Sequence, residues 1–258
     1  MKSRKLAGWL LIPALLALAG GAWLVFDPGF RPRTSDTELA QPKDDFERRV
    51  RDYILNNPEI IMEAAQRLEQ RQRAAQEGEA VVALKARAEE LFRDNDSPVG
   101  GNPNGDVSMV EFFDYNCPYC RQVTPIMDEA EKADPKLRVV YKEFPILGPN
   151  SMFSAKAALA IHRQGKYLDF HREMMLDRGV ADEAKVIRIA GKIGADIERM
   201  KSDMNNPAIA AMIEKNLALA QTLRINGTPG FVIGEQIARG AIDLKTMQSL
   251  IQEARDGK

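Results

Sequence analysis

Residues 111–120 decide the fold of this chain, and their sequence is Glu-Phe-Phe-Asp-Tyr-Asn-Cys-Pro-Tyr-Cys. Cys117 and Cys120 are the only cysteines among its 258 residues. The apolar run Val107–Phe113 predicts a buried strand, and residues 121–133 predict a helix. A Cys-x-x-Cys motif at such a strand-to-helix turn is typical of a redox-active dithiol.

The predicted helix start explains why this pair is reactive. A helix N-terminus carries partial positive charge and free N–H donors, so it favours a thiolate on Cys117. Pro118 suits the first helical turn because it has no N–H that needs a partner. We expect Cys117 to attack a substrate disulfide and Cys120 to resolve the mixed disulfide. A structural disulfide across so short a loop would add only about 2 kcal/mol. A structural zinc site would lack ligands, because the chain has only two histidines.

The chain after the motif predicts a mixed α/β domain. Leu137–Glu143 is a second apolar run and predicts another strand. Five helical segments follow, at residues 151–163, 166–176, 182–192, 196–205 and 207–223. Residues 231–233 and 236–239 predict a short hairpin. Asp243 is expected to cap a last helix that continues to Glu253.

This order of elements, with Gly-Thr-Pro-Gly at residues 227–230 before the hairpin, resembles the thioredoxin superfamily. The resemblance implies that the Thr228–Pro229 bond is cis and lies against a Cys117–Cys120 disulfide. Far more residues separate Cys120 from Pro229 than a minimal thioredoxin fold needs. The excess, about residues 151–220, resembles the helical insertion of the DsbA-like branch. The sequence Tyr-Lys-Glu-Phe-Pro at residues 141–145 is typical of bacterial members of that branch.

Three features distinguish this chain from the strongly oxidising members of the branch. Tyr119 stands where strongly oxidising members have histidine, and Thr228 stands where they have valine. A helical extension also precedes the domain. Together these features are similar to the ScsC-like or Com1-like members, some of which are oligomeric isomerases or reductants associated with copper tolerance. The predicted fold is therefore α/β and thioredoxin-like with a helical insertion, in a domain of residues 96–258.

Several residues are expected to support the site beside Pro118 and Tyr119. Strand alternation places Glu111 and Phe113 on one side, where a buried Glu111 carboxylate would shuttle the proton of Cys120. Lys142 on the neighbouring strand is the expected counter-charge, although an exposed Glu–Lys pair is the alternative. Thr228 and Pro229 are expected to contact substrate; the alternative is an ordinary turn.

Copper is a further possibility, because reduced thiolates are good Cu(I) ligands and Cys117 and Cys120 would supply two. His171, Met174 and Met175 lie at i, i+3 and i+4, a spacing that also suits Cu(I). Such a cluster is more often packed helix core. The resemblance itself implies no cofactor beyond the redox-active disulfide.

The N-terminus predicts export. Lys2, Arg4 and Lys5 precede an apolar run from Leu6 to Phe26, which is long enough to span a bilayer. Residues 1–26 are therefore either a cleaved signal peptide or an uncleaved signal anchor. In both cases the rest of the chain lies in the bacterial periplasm, where disulfides persist. Residues 27–43 are rich in turn formers and predict a linker.

Residues 44–95 predict a helical arm. One face of its first helix and a seven-residue repeat in its second carry apolar residues: Phe46, Val50, Tyr53, Ile54, Ile61, Leu68, Ala75 and Val82. So thin a stripe cannot bury much surface against its own domain. The arm is therefore either an oligomerisation region, in which stripes of several chains pack together, or a solvated spacer. The apolar residues favour a homo-oligomer.

The net charge of −1 gives no electrostatic case for nucleic acid as a partner. We expect a periplasmic disulfide isomerase or reductase that acts on unfolded or wrongly paired exported proteins. Its dithiol would be kept reduced by a membrane electron donor of the DsbD type. The alternatives are a DsbA-type dithiol oxidant and, from another class, a Cu(I)-binding module for copper tolerance.

Overall fold

The computed structural model describes residues 44–257, which form parts of two units, Met1–Met62 and Glu63–Lys258. The predicted export segment, residues 1–26, and the predicted linker, residues 27–43, lie outside the described residues. No helix within residues 44–257 is both long and apolar enough to cross a bilayer.

The first unit contains helix α1, Asp45–Asn56, and the start of helix α2, Glu59–Ala86. Asp44 caps α1, because its carboxylate accepts the N–H of Glu47. The helix ends at Asn56 with Asn57 as its C-cap, within the Asn-Asn-Pro stretch that the sequence predicts as its end. Phe46 and Tyr53 on α1 are 65% and 62% exposed. That these side chains pack against a second copy of the chain stays a prediction.

The second unit is built around a five-stranded sheet. Its strands are β1 (Val99–Gly101), β2 (Val107–Phe113), β3 (Leu137–Glu143), β4 (Gly230–Ile233) and β5 (Gln236–Arg239). They lie in the order β1-β3-β2-β4-β5, with β2 and β3 parallel and the other pairs antiparallel. The helices are α3 (Ala88–Phe92), α4 (Pro118–Ala133), α5 (Pro149–His162), α6 (Tyr167–Leu176), α7 (Glu183–Lys192), α8 (Ile197–Asp203), α9 (Pro207–Thr222) and α10 (Leu244–Asp256). Helices α5–α9 form the predicted insertion between β3 and β4, which confirms the thioredoxin-like fold.

Strand β1 was not predicted, because its sequence Val-Gly-Gly lies in a segment dominated by turn formers. It pairs antiparallel with the edge of β3, so tertiary pairing outweighs its low strand propensity. Gly101 has φ of +60°, and a Cβ there would lie 2.4 Å from the Leu137 carbonyl oxygen. Only glycine fits that position.

Two apolar cores cover the two faces of the sheet. One contains Met109 and Phe113 of β2, and the other contains Val110 and Phe112. Leu84 of α2 and Leu91 of α3 belong to the second core and are buried. The predicted start of the domain at residue 96 is therefore too late. The last turns of the predicted arm cover one face of the sheet, and their leucines continue its core.

Candidate active site

The two cysteines lie where β2 gives way to α4. Cys117 is the N-cap of α4, and its Sγ accepts the N–H of Cys120 at 3.4 Å. Both cysteines are free thiols, and both side chains are buried. The Cys117 thiol donates to the Thr228 carbonyl oxygen at 3.2 Å. Tyr119 is 60% exposed, so the surface beside Cys117 carries an accessible aromatic ring.

The surroundings separate the pKa values of the two thiols. A hydrogen bond from the Cys120 thiol lowers the pKa of Cys117 to about 6, despite burial, with help from Thr228 and the N–H groups of Cys120 and Tyr119. Burial raises the pKa of Cys120 far above its ordinary value, and its bond to Cys117 and the charge of Glu111 add to this. At neutral pH Cys117 is therefore a thiolate and Cys120 a thiol, as the nucleophile and resolving roles require.

We expect alkylation of the reduced protein by iodoacetamide to rise through a midpoint near pH 6 and to modify one site. Cys117→Ser should remove this reaction and Cys120→Ser should keep it. A midpoint near 8.5, the ordinary value for a thiol, would contradict the assignment. The lowered pKa also makes Cys117 ionisation stabilise the reduced fold. That contribution is complete above about pH 9 and is lost as the pH falls through about 6.

The Thr228–Pro229 bond is cis, as the resemblance implied. Thr228 is half-buried and Pro229 is buried, and the Pro229 carbonyl oxygen accepts the N–H of Gly240 at 2.8 Å. The segment therefore reaches Cys117 through the Thr228 carbonyl. Contact of Thr228 and Pro229 with substrate stays a prediction.

Glu111 is 1% exposed, on the same face of β2 as Phe113. Its carboxylate oxygens have no hydrogen-bond partner within the described part of the chain. Burial raises the pKa of Glu111 to about 8, and the charges of Cys117 and Glu131 add to this. A carboxyl that titrates near neutral pH beside a buried thiol suits a proton shuttle for Cys120.

Lys142 does not pair with Glu111, and this expectation was wrong. In the parallel register Glu111 lies opposite Tyr141, whereas Lys142 lies opposite Phe112 and faces the other core. Its ammonium donates to Asp94 Oδ2 at 3.0 Å, to Ser97 Oγ at 2.8 Å and to a backbone carbonyl at 2.9 Å. Lys142 therefore joins the α3 segment to the sheet, and it supports the active site only through the fold.

His171, Met174 and Met175 are packed core. His171 is buried, and its ring lies 4.5 Å from that of Tyr141 and 4.7 Å from that of Phe113. Burial lowers the pKa of His171 to about 3, with a further contribution from Arg172. The cluster is therefore a neutral part of the apolar interior. Copper binding by Cys117 and Cys120 stays a prediction.

Two polar side chains that the sequence analysis left without a role fasten the active-site loop. Asp114 accepts the N–H groups of Ile146 and Leu147 at 2.9 and 3.0 Å. Asn116 accepts the N–H of Ala181 at 2.8 Å. The loop is thus held to both ends of the segment that contains α5 and α6. An Asp and an Asn in a strand-to-helix loop were the available signal, since both residues bond backbone N–H groups in turns.

A buried carboxyl, Glu143, was also missed. It accepts the hydroxyls of Tyr115 at 3.3 Å and Tyr167 at 2.8 Å, and burial raises its pKa well above the ordinary range. Tyr115 precedes Cys117 by two residues, so this cluster connects β3 and α6 to the active-site loop. A glutamate at the end of an apolar strand was its only sequence signal.

Comparisons with known proteins agree with this geometry. Residues 108–252 match the DSBA-like thioredoxin domain, and residues 43–75 match the copper resistance protein ScsC N-terminal domain. The crystal structure of a thioredoxin-like oxidoreductase from Silicibacter pomeroyi DSS-3 is 46% identical, with a TM-score of 0.64 over 65% of this chain and 97% of that chain. Proteus mirabilis ScsC in a transitional conformation is 28% identical, with a TM-score of 0.64 over 81% of this chain and 94% of that chain.

A curated relative is a much longer protein. The Na(+)/H(+) antiporter NhaA of Herminiimonas arsenicoxydans is 27% identical over 161 residues, which are 62% of this chain and 26% of that protein. This chain thus spans about a quarter of the length of that relative. The DSBA-like match covers more than half of the chain and includes both cysteines. The chain belongs to the DsbA-like family of thioredoxin-fold thiol-disulfide oxidoreductases, with an N-terminal region of the ScsC type.

Proposed function

We propose that this protein is a thiol-disulfide isomerase or reductase that acts on exported proteins in the bacterial periplasm. The pKa of Cys117, about 6, is the observation that favours an isomerase or reductase over a strong oxidant. Reactive thiols have pKa values of about 7 in thioredoxin and about 3.5 in the strong oxidant DsbA. The lower the pKa, the more the thiolate stabilises the reduced form and the stronger the oxidant. The value for Cys117 is nearer to that of thioredoxin.

The protonated state of Cys120 supports an isomerase. Cys117 attacks a client disulfide through its thiolate, and a mixed disulfide forms with release of one client thiolate. Cys120 must lose its proton before it can resolve this intermediate. The delay gives a second client cysteine time to attack, which rearranges the client disulfide and returns Cys117 as a thiolate. Resolution by Cys120 instead reduces the client.

The helical arm supports a multivalent enzyme. Phe46, Val50 and Tyr53 form an exposed apolar row on α1, at spacings that place them on one helix face. Residues 43–75 match the ScsC N-terminal domain. Packing of this row between copies of the chain would hold several active sites around one client, which raises the effective concentration of each site.

The proposal also names partners. Isomerisation and reduction need the Cys117–Cys120 pair in its dithiol form, which the oxidising periplasm opposes. A membrane electron donor of the DsbD type would supply the two electrons, and clients would be unfolded or wrongly paired exported proteins. The redox-active cysteine pair itself accepts and donates the two electrons of this reaction, so no further cofactor is proposed.

Reactivation of scrambled, fully oxidised ribonuclease tests this proposal. We expect the chain from Lys43 onward to reactivate ribonuclease and to sediment as an oligomer. Replacement of Phe46, Val50 and Tyr53 by serine should give monomers and reduce reactivation about tenfold or more, since avidity supplies factors of this order. The matched control replaces Arg48, Arg49 and Asp52 of the same helix, also by serine. Absent reactivation with fast oxidation of a reduced client would favour the oxidant and overturn the proposal.

A further inference from the structure

Residues 114–117 form a tight turn that ends at the nucleophile. The N–H of Cys117 donates to the Asp114 carbonyl oxygen at 3.0 Å, so the two residues between them occupy the corners of the turn. Cys117 then caps α4, and its Sγ lies 3.2 Å from the Thr228 carbonyl oxygen and 3.4 Å from the Cys120 backbone nitrogen. The position of the turn therefore determines the position of the sulfur.

Tyr115 is the corner residue that lies inside the protein. Its side chain is buried, and its ring lies edge-on to that of Phe113, with the ring centroids 5.1 Å apart. Its hydroxyl donates to Glu143 Oε1 at 3.3 Å, and Arg121 Nη2 of α4 donates to its backbone carbonyl oxygen at 2.6 Å. Tyr115 is thus held at its side chain by β3 and at its backbone by α4.

Glu143 is a fixed acceptor for that hydroxyl. It is buried at the end of β3, and its backbone carbonyl oxygen accepts Nδ2 of Asn216, on α9, at 3.2 Å. Its Oε1 also accepts the hydroxyl of Tyr167, on α6, at 2.8 Å. Three elements outside the turn therefore hold Glu143, so the Tyr115 hydroxyl meets an acceptor whose place does not depend on the turn.

The carboxyl of Glu143 is a neutral acceptor. Within residues 44–257 it makes no ion pair, and its side-chain hydrogen bonds come from two tyrosine hydroxyls. A buried carboxylate without a counter-charge is costly, so such a group takes up a proton instead. Burial raises the pKa of Glu143 accordingly, although the two hydroxyl bonds oppose this. Glutamine can therefore replace Glu143 without changing the charge near the dithiol.

We propose that Glu143 is a positioning residue that fixes the turn through the Tyr115 hydroxyl and so keeps Cys117 Sγ at the start of α4. The contacts that lower the pKa of Cys117 all require the sulfur to stay at this place. Glu143 thus acts on the thiol through Tyr115. The inference concerns attack by Cys117, a step that an isomerase and an oxidant share, so it does not depend on the choice between them.

Tyr115→Phe tests this role, because it removes one hydroxyl and keeps the ring. We expect the midpoint of alkylation by iodoacetamide to rise from about pH 6 by about one unit, a tenfold change in the ionisation constant of Cys117. Attack on oxidised glutathione at pH 6 should slow about fivefold, because the thiolate fraction falls from about a half to about a tenth. The limiting rate at high pH should change little, because Cys117 is then fully ionised.

Two substitutions of the carboxyl itself distinguish positioning from charge. Glu143→Gln keeps an acceptor and should leave the midpoint near pH 6, whereas a downward shift would show an ionised carboxylate and overturn the neutral acceptor. Glu143→Met removes the acceptor and should raise the midpoint as Tyr115→Phe does. Because both changes break the same hydrogen bond, the double variant should raise it no further than either alone. If Glu143→Met fails to fold, Tyr115→Phe still decides the question.

Tyr141→Phe is the matched control. The Tyr141 hydroxyl also donates to a glutamate, Glu131 Oε1, at 3.3 Å, but Tyr141 lies within β3 and makes no hydrogen bond to the turn. Tyr141→Phe should therefore lower stability much as Tyr115→Phe does, yet leave the alkylation midpoint and the rate with glutathione unchanged. Equal upward shifts in the two variants would show a merely structural effect and overturn the proposal. An unchanged midpoint in Tyr115→Phe would overturn it as well.

Discussion

Substitution of Cys117 by alanine is expected to abolish disulfide exchange. Substitution of Cys120 by alanine is expected to stop the reaction after the first step, at the mixed disulfide between Cys117 and the client. Cys117 is the thiol whose pKa lies below neutrality, so only it attacks a client disulfide at pH 7. Loss of the nucleophile in enzymes with a covalent intermediate reduces turnover by roughly 10³-fold or more. The measurement is turnover of insulin disulfides at pH 7.

Cys120→Ala separates the two half-reactions. Cys117 keeps its place at the start of α4, where it is the N-cap residue. The variant loses the Cys120 thiol, which is the largest contribution to the lowered pKa of Cys117. The first attack should therefore continue more slowly below pH 7, while mixed disulfides with clients accumulate. Non-reducing electrophoresis would detect them. A Cys120→Ala variant that turned over repeatedly with no trapped species would contradict the assignment of the resolving cysteine.

The elements that carry the chemistry were predictable because each depends on local sequence. Strand β2, helix α4 and the motif between them follow from an apolar run, a Cys-x-x-Cys spacing and a proline at the first helical position. The cap of α10 was likewise predicted, and the Asp243 carboxylate accepts the N–H of Thr246 at 2.7 Å. Such features need only residues a few positions apart, so a single sequence contains the necessary information.

The errors share a different cause, because each depends on register or on packing between distant segments. Alternation predicted the side to which Glu111 points, but the partner of Lys142 depends on how β2 and β3 align. That register places Lys142 beside Phe112. Strand β1 pairs with the edge of β3, a contact between segments about 40 residues apart that local sequence does not indicate.

Lys142→Met is expected to reduce the free energy of unfolding by about 3–5 kcal/mol, the usual cost of removing one partner of a buried ion pair. Lys142 is fully buried, and the side chain of its partner Asp94 is 6% exposed. Burial opposes ionisation of Asp94, yet the bonds and charges of Lys142 and Lys215 outweigh this and hold its pKa at about 2. The substitution therefore leaves a charged carboxylate without its strongest partner and removes the donor to Ser97 and the Glu90 carbonyl.

Lys215→Met provides the matched control, because Lys215 also contacts Asp94 Oδ2, at 3.1 Å, but its side chain is 38% exposed. A partly solvated pair contributes about 0–1 kcal/mol, so urea unfolding should separate the two variants clearly. The double variant Lys142→Met with Asp94→Leu should regain much of the loss, because it removes the unpaired charge as well. Equal costs for Lys142→Met and Lys215→Met would show that the pair is not the junction described above.

Lys142 faces away from Glu111, so the alkylation midpoint of Cys117 should stay near pH 6 in Lys142→Met. The stability of the α3 junction and the chemistry at the dithiol are therefore separable, although Lys142 and Glu111 lie on adjacent strands of one sheet.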